Sequence, residues 1–427
     1  MASGPYQPRL IDSELRDLAA ELPAIAIDGA KGVGKTATAM QFANTIRNLE
    51  RPGERLAIEA SPASALDGSP PILIDEWQHV PDVWNEVRRH VDSGAQAGRY
   101  LLTGSASPET VATHSGAGRI VSLRMRPMSL GERAPGVATV SLRDLLGGGA
   151  GTIDGRTDWS ASDYAQEILR SGFPGIRRYS DRALRAQLSG YLERIVDRDF
   201  AQLEHRLRKP ESLRRWMTAY AAASATTTSF DKIRAAAADE SGKVQSVAAT
   251  LPYRDVLSRL WILDPVPSWK PWGASVPRLG SSEKHHLVDP ALAATLLGAT
   301  SSVLVSGKER TPLPVGGSTL LGRLFESLVT QSIRTYAQAT EAKTFHLRTH
   351  SGDHEVDLIV ERTGGGALGV EVKLKPGIED QDVRDLLWLR ERIGNEWIGG
   401  VVISAGPTAY CRKDGIAVVP AVLLGPW

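Results

Sequence analysis

Three groups of residues in this sequence have side-chain types and spacings suited to chemistry. The first is Gly29-Ala30-Lys31-Gly32-Val33-Gly34-Lys35-Thr36, which fits the pattern G-x-x-x-x-G-K-[ST]. Its glycines permit a loop whose backbone N–H groups face phosphate oxygens, and the following helix adds partial positive charge from its N-terminus. In such a loop Lys35 reaches the β- and γ-phosphates of ATP, and the Thr36 hydroxyl binds Mg²⁺. The second group closes the apolar run Ile72-Leu73-Ile74 with Asp75 and Glu76. Asp75 would hold the Mg²⁺ through water and Glu76 would polarise the attacking water. Downstream, Leu101-Leu102-Thr103-Gly104-Ser105 ends another apolar run in small polar residues. Either Thr103, with Ser105 second, senses the γ-phosphate, or these residues serve turn chemistry. Arg119 opens a further run; it reaches a γ-phosphate in cis, reaches one from a neighbouring subunit, or is simply solvated.

The third group lies near the C-terminus. Glu355-Val356-Asp357 and Glu371-Val372-Lys373 flank a Gly-rich turn. A turn centred on Gly364 brings Asp357 opposite Glu371, and alternation places Asp357, Glu371 and Lys373 on one face. The other face holds Val356, Leu358, Val360, Val370, Val372 and Leu374. Facing carboxylates repel unless a cation lies between them, so a Mg²⁺ held by both is expected. That ion would polarise a phosphodiester, and Lys373 would orient the water or stabilise the transition state. The alternative is an ordinary hairpin with a solvated charged face.

The elements that must position these groups follow from the apolar pattern. Residues 24–130 alternate short apolar runs with helical stretches, which predicts a parallel sheet with helices on both faces. Thr36–Leu49 reads as helix and Arg55–Glu59 as a strand inserted before Asp75, the mark of the Asp-Glu branch of P-loop ATPases. Residues 147–158 read as a linker. Over residues 161–220, twelve Lys/Arg stand against eight Asp/Glu, and Arg206, Arg208, Lys209, Arg214 and Arg215 cluster near Trp216 and Tyr220. That cluster is either a phosphate-contacting surface or a solvated helix face. Residues 230–268 suit a winged helix-turn-helix, with Pro252 in the first turn of a recognition helix carrying Arg254 and Arg259. Residues 306–318 separate this section from the last. There Leu321, Leu324, Phe325, Leu328, Val329, Ile333 and Tyr336 form a helical stripe with Glu326 at its edge. The histidines (His285, His286, His346, His350, His354) lack a converging metal spacing.

The chain has 427 residues, 50 Lys+Arg against 49 Asp+Glu, and one cysteine, Cys411. The near-neutral balance excludes a uniformly basic nucleic-acid coat while leaving local patches open. A single cysteine excludes an internal disulfide and thiolate zinc clusters. No apolar run nears the roughly 20 residues needed to span a bilayer. The opening residues show no signal-peptide pattern, which together predicts a cytoplasmic protein.

Taken in order, Arg9-Leu10-Ile11-Asp12, the loop 29–36, Ile72 to Glu76, Leu102 to Ser105 and Gly118-Arg119 resemble bacterial and archaeal AAA+-type ATPases. Pro127 to Glu132, Gly172-Phe173-Pro174 and Leu287-Val288-Asp289 continue the resemblance. Lys31 and Gly32 stand where many relatives carry Arg and Gln. In these ATPases a nuclease-like domain of poorly known role follows the P-loop domain. The C-terminal order of helix, three strands, helix and strand, with D-x(13)-E-x-K, resembles the PD-(D/E)xK nuclease superfamily, and Glu326 matches its helical acid. The resemblance implies an α/β protein of three parts: a P-loop domain (1–145), a helical, winged-helix middle (160–305) and a restriction-endonuclease-like α/β domain (318–427). It implies ATP and Mg²⁺ as cofactors, with Thr36, Asp75, Glu326, Asp357 and Glu371 as metal ligands. DNA or RNA, a protein partner or a second copy are the expected partners. The nuclease-like domain either cleaves nucleic acid under nucleotide control or only binds.

Overall fold

The computed structural model describes residues 6–105, 116–148, 153–200, 210–271, 279–280, 282–307 and 319–427. Arg206, Arg208, Lys209, part of the linker 147–158 and most of 306–318 lie outside them. Chain contacts separate two compact units. The first comprises residues 1–127 with 173–175 and 255–262, and the second the remainder. Residues 128–145, expected with the P-loop domain, therefore fold with the C-terminal unit. There β6 (Val140–Ser141) pairs with the C-terminal strand Leu424–Gly425.

The first unit is a five-stranded sheet built from β1 (Ala24–Asp28), β2 (Thr45–Asn48), β3 (Ile72–Asp75), β4 (Tyr100–Gly104) and β5 (Val121–Arg124). The order is β2-β3-β4-β1-β5 and every pairing is parallel. β1, β3 and β4 are buried along their whole length, as expected of central parallel strands covered on both faces. Helix α1 (Ile11–Ala19) precedes β1, and α2 (Lys35–Ala39) follows the glycine loop. The predicted helix 36–49 is shorter than expected because the chain leaves it at Met40 and forms β2, which pairs with β3. The predicted strand 55–59 is instead part of α3 (Pro52–Ala60). Pro52 suits a first helical turn, Arg55 and Glu59 pair one turn apart at 3.7 Å, and Leu56 is exposed. In space, β4 lies between β1 and β3, so a strand does separate the loop from Asp75. Helix α4 (Asp82–Asp92) lies between β3 and β4 in the chain.

In the second unit, α5 (Leu130–Arg133), α6 (Leu142–Leu146), α7 (Ala161–Arg170) and α8 (Asp181–Arg194) lead into α9 (Pro210–Ala222) and α10 (Phe230–Ala236). Helix α11 (Val247–Arg259) carries Pro252 in its interior rather than at a start. Antiparallel bridges then join Leu263 to Leu287 and Val266 to Lys284. After α12 (Pro290–Leu296) and α13 (Ser301–Ser306), the long α14 (Leu320–Ala339) packs on a six-stranded sheet. That sheet contains β7 (Ala342–Arg348), β8 (Glu355–Arg362), β9 (Ala367–Lys373), β10 (Trp397–Ser404), β11 (Tyr410–Cys411) and β12 (Ala417–Pro420). Its order is β11-β12-β10-β9-β8-β7, antiparallel from β7 to β9 and parallel from β9 to β12. Helix α15 (Asp380–Ile393) packs Val383, Leu386 and Leu389 into the core with Ile359, Val402 and Val418.

The β8–β9 hairpin has the expected register, pairing Leu358 with Val370 and Glu361 with Ala367. Simple alternation fails at Asp357, however. Phe345 faces Ile359 while Leu347 faces Val356, so β8 spends three residues where β7 spends two. Val356 and Ile359 consequently enter the same core. Such a bulge re-aims the side chain it contains, here Asp357.

Three stretches that carry the family resemblance meet at one buried node of this unit. Asp289, the N-cap of α12, accepts from Ala291 N at 2.8 Å, Gly172 N at 2.6 Å and Ser171 Oγ at 3.1 Å. The Arg133 guanidinium lies 4.0 Å from the same carboxylate and donates to Met128 O, Glu167 O and the Gln331 side chain. A Cβ on Gly172 would come within 2.8 Å of Met128 O, so only glycine lets the segments close. Asp289→Ala takes the acceptor from Gly172 N, Ala291 N and Ser171 Oγ and the nearest counter-charge from buried Arg133, and is expected to cost about 3–5 kcal/mol. Urea unfolding followed by circular dichroism should show the lowered midpoint.

Candidate functional site

The nucleotide site is assembled from strand ends. Gly29 passes so close to β5 that a Cβ would lie 2.2 Å from Met125 O. Gly34, at φ 109°, turns the loop into α2. Ala30 and Val33 are fully buried, whereas Lys31 and Gly32 are exposed. Lys35 is 5% exposed and donates to Gly29 O at 2.7 Å and Ala30 O at 3.1 Å. Burial lowers its pKa to about 8, against the raising influence of Glu76, Asp28 and Asp75. Arg9 buttresses the loop by donating to Val33 O and Arg126 O, both at 2.8 Å.

Asp75 is the centre of the polar row. The parallel register aligns Asn48, Asp75 and Thr103 across β2, β3 and β4. Asp75 Oδ1 accepts from Thr36 Oγ1 at 2.6 Å and Thr103 Oγ1 at 2.5 Å, and Oδ2 from Asn48 Nδ2 at 3.3 Å. Burial pushes its carboxyl up, while the two hydroxyls pull it back. A hydroxyl and a carboxylate oxygen at the start of α2 are hard donors suited to the Mg²⁺ of a nucleotide.

Glu76 sits in the left-handed region at φ 55°, an uncommon conformation for a residue with a Cβ. Its Oε2 accepts from Ser105 Oγ at 2.9 Å and from Gln78 Nε2. Gly104, without a side chain, leaves room for Trp77 and Gln78 beside β4. Arg119 is not turned to these residues. It pairs with Asp92 at 2.8 Å and donates to Ala117 O on an exposed surface.

Sequence reasoning missed Asn48, Gln78 and Asp28. Asn48 was hidden because residues 36–49 read as helix. Gln78 follows Glu76 by two positions, and that proximity was its only signal. Asp28 ends β1 buried, its carboxyl pushed up by burial against a Ser122 hydrogen bond and the charge of Arg124. The guanidinium of Arg124 lies 3.7 Å from the centre of the Trp261 ring.

The second cluster brings Glu326, Asp357, Glu371 and Lys373 into one region but with an unforeseen member. Lys284 Nζ lies 2.8 Å from Glu326 Oε1, 3.0 Å from Asp357 Oδ1 and 3.3 Å from Glu355 Oε1. Lys373 Nζ bonds Glu371 Oε2 at 2.7 Å, and Val372 N donates to Asp357 Oδ2 at 2.9 Å. Glu355 also meets Arg348 at 2.7 Å. Burial works against the charge on Lys284, but Asp357, Glu326 and Glu355 together hold its pKa well above the usual lysine range. Burial raises Glu326 to about 8, and it raises Glu371 well above the usual carboxylate range with the charge of Asp357 adding to it. For Asp357 burial pushes up, yet Lys284 and Lys373 prevail and hold it below that range.

The expected metal ligands Glu326, Asp357 and Glu371 are thus not left facing a bare cation position. An ammonium already joins Glu326 to Asp357. Among the described residues no group of three or more His, Cys, Asp or Glu side chains is arranged to hold a metal ion. As it stands, this cluster does not fit a divalent cation. The histidines serve hydrogen bonds: His285 Nε2 with Thr228 O, His286 Nδ1 with Ser327 Oγ, His346 Nε2 with Ser282 O and His354 Nδ1 with Asp385.

Similarity to known proteins follows the same division. Residues 21–134 match a family described as an AAA domain. Residues 161–303 and 321–424 match two domains of unknown function, DUF8612 and DUF4143. Uncharacterized proteins of Mycobacterium tuberculosis and Mycobacterium bovis are 27% identical over 378 residues, covering 84% of this chain and 74% of theirs. A Walker-type ATPase of Pyrococcus abyssi aligns with 69% of this chain and 98% of its own, at 13% identity and TM-score 0.37. Over residues 21–134, sequence similarity and loop geometry agree on an AAA-type P-loop domain, an ATP-binding and ATP-hydrolysing class. Among the described residues no helix is long and apolar enough to cross a membrane.

The depressed Lys35 has a consequence for binding. On the expected role of Lys35 the phosphates need its charged form, which the free protein half loses near pH 8. Nucleotide binding above that pH must therefore take up a proton. ATP affinity should be level below pH 8 and fall by up to about tenfold per pH unit above it. Calorimetry in buffers of different ionisation enthalpy reads both the affinity and the proton uptake.

Proposed function

We propose that this chain is a Mg²⁺-dependent ATPase of the Asp-Glu branch whose nucleotide state governs its C-terminal domain. The observation that carries the reading is the Asp75 carboxylate, joined to the Thr36 and Thr103 hydroxyls at 2.6 and 2.5 Å. Thr36 and Asp75 would hold the ion, Lys35 the phosphates, and Thr103 would report γ-phosphate occupancy to the Asp75 strand. Bound Mg²⁺ would supply charge neutralisation of the phosphates. Glu76 would accept a proton from the attacking water, and Ser105 and Gln78 hold it meanwhile. The position of β4 between β1 and β3 supports the branch assignment. Arg119, paired with Asp92 of its own chain, would on this reading act on the nucleotide of a neighbouring copy.

The C-terminal order α14, β7, β8, β9, α15, β10 supports a restriction-endonuclease-like PD-(D/E)xK fold. Two activities suit it. One is nucleic-acid cleavage at Asp357, Glu371 and Lys373 under nucleotide control, with DNA or RNA as substrate. The other is a cytoplasmic regulator that binds DNA or protein without cutting. The Lys284 ammonium between Glu326 and Asp357 favours the second.

Lys35→Ala should abolish ATP binding, and Glu76→Gln should bind ATP while hydrolysing it roughly 100- to 10,000-fold more slowly. Steady-state phosphate release together with fluorescent-nucleotide titration separates the two effects. Full turnover in Glu76→Gln would remove that residue from the proton-accepting role. Incubating the unaltered chain with ATP, Mg²⁺ and labelled DNA or RNA should leave the nucleic acid intact; cleavage lost in Glu371→Ala would restore the nuclease reading.

A further inference from the structure

We propose that a cavity at the hairpin end of the C-terminal sheet binds an organic cation, a guanidinium or ammonium head on a short aliphatic stem. The cavity lies apart from the nucleotide site and from the acid cluster around Lys284, and the inference rests on neither.

The cavity has a volume of about 260 Å³ and is walled by Trp269, Pro271, Ile393, Glu361 and Glu396 around the Gly365-Gly366 turn. Glu361 pairs with Ala367 where β8 turns into β9. That is the opposite end of the hairpin from Asp357 and Glu371, about 13 Å away at the rise of an extended strand.

The walls are fixed in place. Trp269 is 3% exposed, and its backbone N donates to His346 O at 2.7 Å on the edge of β7. Its ring Nε1 donates to Glu361 Oε1 at 3.4 Å, while Glu396 Oε2 accepts from Gly366 N at 3.0 Å. Each carboxylate is thus held by a neutral donor through one oxygen. The other oxygen of each has no protein partner among the described residues.

Two negative charges are therefore left unanswered. Lys343 faces Glu361 across β7 and β8 but is exposed and forms no ion pair with it. Arg362 turns instead to Gly365 O at 3.2 Å and Leu146 O at 3.3 Å. In the acid cluster the chain supplies its own ammonium, Lys284; here it supplies none. Helix α15 ends at Ile393, so the negative end of its dipole adds to the field at the cavity. The arginines of its last turn are engaged elsewhere, Arg390 with Asp414 O and Arg392 over the Trp388 ring.

The carboxylates select a cation, and the Trp269, Pro271 and Ile393 walls select one with an apolar stem. A divalent metal ion needs six or more oxygen ligands, which two carboxylates among such walls do not offer. The volume is below the roughly 300–1,000 Å³ of sites for larger ligands, and suits a single side chain or a small amine. An arginine or lysine side chain of a partner protein and a free alkylamine share this chemistry.

The test titrates the full chain, without nucleotide, with N-acetylarginine methylamide and separately with agmatine, read by saturation-transfer difference NMR. The capped citrulline analogue, neutral and of nearly the same shape, is the control. At least one cationic compound should bind saturably and more tightly than citrulline. Glu361→Gln with Glu396→Gln should weaken it by about tenfold or more. Binding by capped arginine assigns the site to a partner's side chain; binding by agmatine alone assigns it to a free amine. Binding that the double variant leaves unchanged, citrulline that binds equally well, or no saturable binding of either cation overturns the proposal. Should the double variant fail to fold, the comparison of arginine with citrulline on the unaltered chain still decides. An ATPase-dead Lys35→Ala chain should bind the cation as the unaltered chain does, so failure of the ATPase reading leaves this result standing.

Discussion

A charged side chain closed off from water needs a counter-charge or a set of hydrogen-bond partners, and that requirement organises both units. Lys35, Asp28 and Asp75 are almost wholly buried in the first unit; Lys284, Glu371 and Asp289 are so in the second. Leaving any of them unanswered would consume a large part of the few kcal/mol by which a domain is stable. Most are therefore tied to partners from other elements, while Glu371 bonds Lys373 of its own strand through one oxygen only. The partners are hydroxyls around Asp75, loop carbonyls around Lys35, carboxylates around Lys284 and backbone N–H groups around Asp289. The structure places its chemistry where its charges had to be satisfied anyway.

The parallel sheet turns that requirement into geometry. Because β2, β3 and β4 run in one direction with a fixed register, their C-terminal ends lie side by side. Asn48, Asp75 and Thr103 then form one polar row beside the phosphate loop. The left-handed Glu76 steps out of that row at the end of β3, and Gly104 clears the space that Trp77 and Gln78 occupy. The C-terminal sheet works otherwise. Its hairpin is antiparallel, and the bulge at Asp357 turns that side chain to Lys284 and Glu326.

Much of this was legible in advance. The loop 29–36, the Asp75-Glu76 pair, Thr103 and the hairpin register about Gly364 all came from residue type and spacing. What failed did so for physical reasons. The apolar positions of 36–49 suit a helix on their own, but pairing with β3 draws residues 45–48 into the sheet. The run 55–59 suits a strand, yet Pro52 and the Arg55–Glu59 pair favour a helix whose Leu56 stays exposed. Alternation placed Asp357 opposite Val356 and Leu358 because a bulge leaves no mark in a pattern of period two. For Arg119 the position leaves a γ-phosphate contact and a solvated side chain both open, and in the structure it pairs with Asp92, on α4, at the surface.

The sequence alone determined the phosphate loop and its carboxylates, because that geometry is encoded within a few consecutive residues whose backbone freedom and hydrogen-bonding groups act locally. It determined the hairpin register too, since a glycine turn fixes the pairing of the strands it joins. Only the tertiary structure decided what stands among the C-terminal carboxylates. Lys284 is 42 residues from Glu326 and 73 from Asp357. No local pattern links them; long-range packing buries the lysine beside acids whose charge would otherwise have no answer. The near-zero net charge of +1 is consistent with this but does not foretell it, since a sum over the chain carries no record of which charges meet.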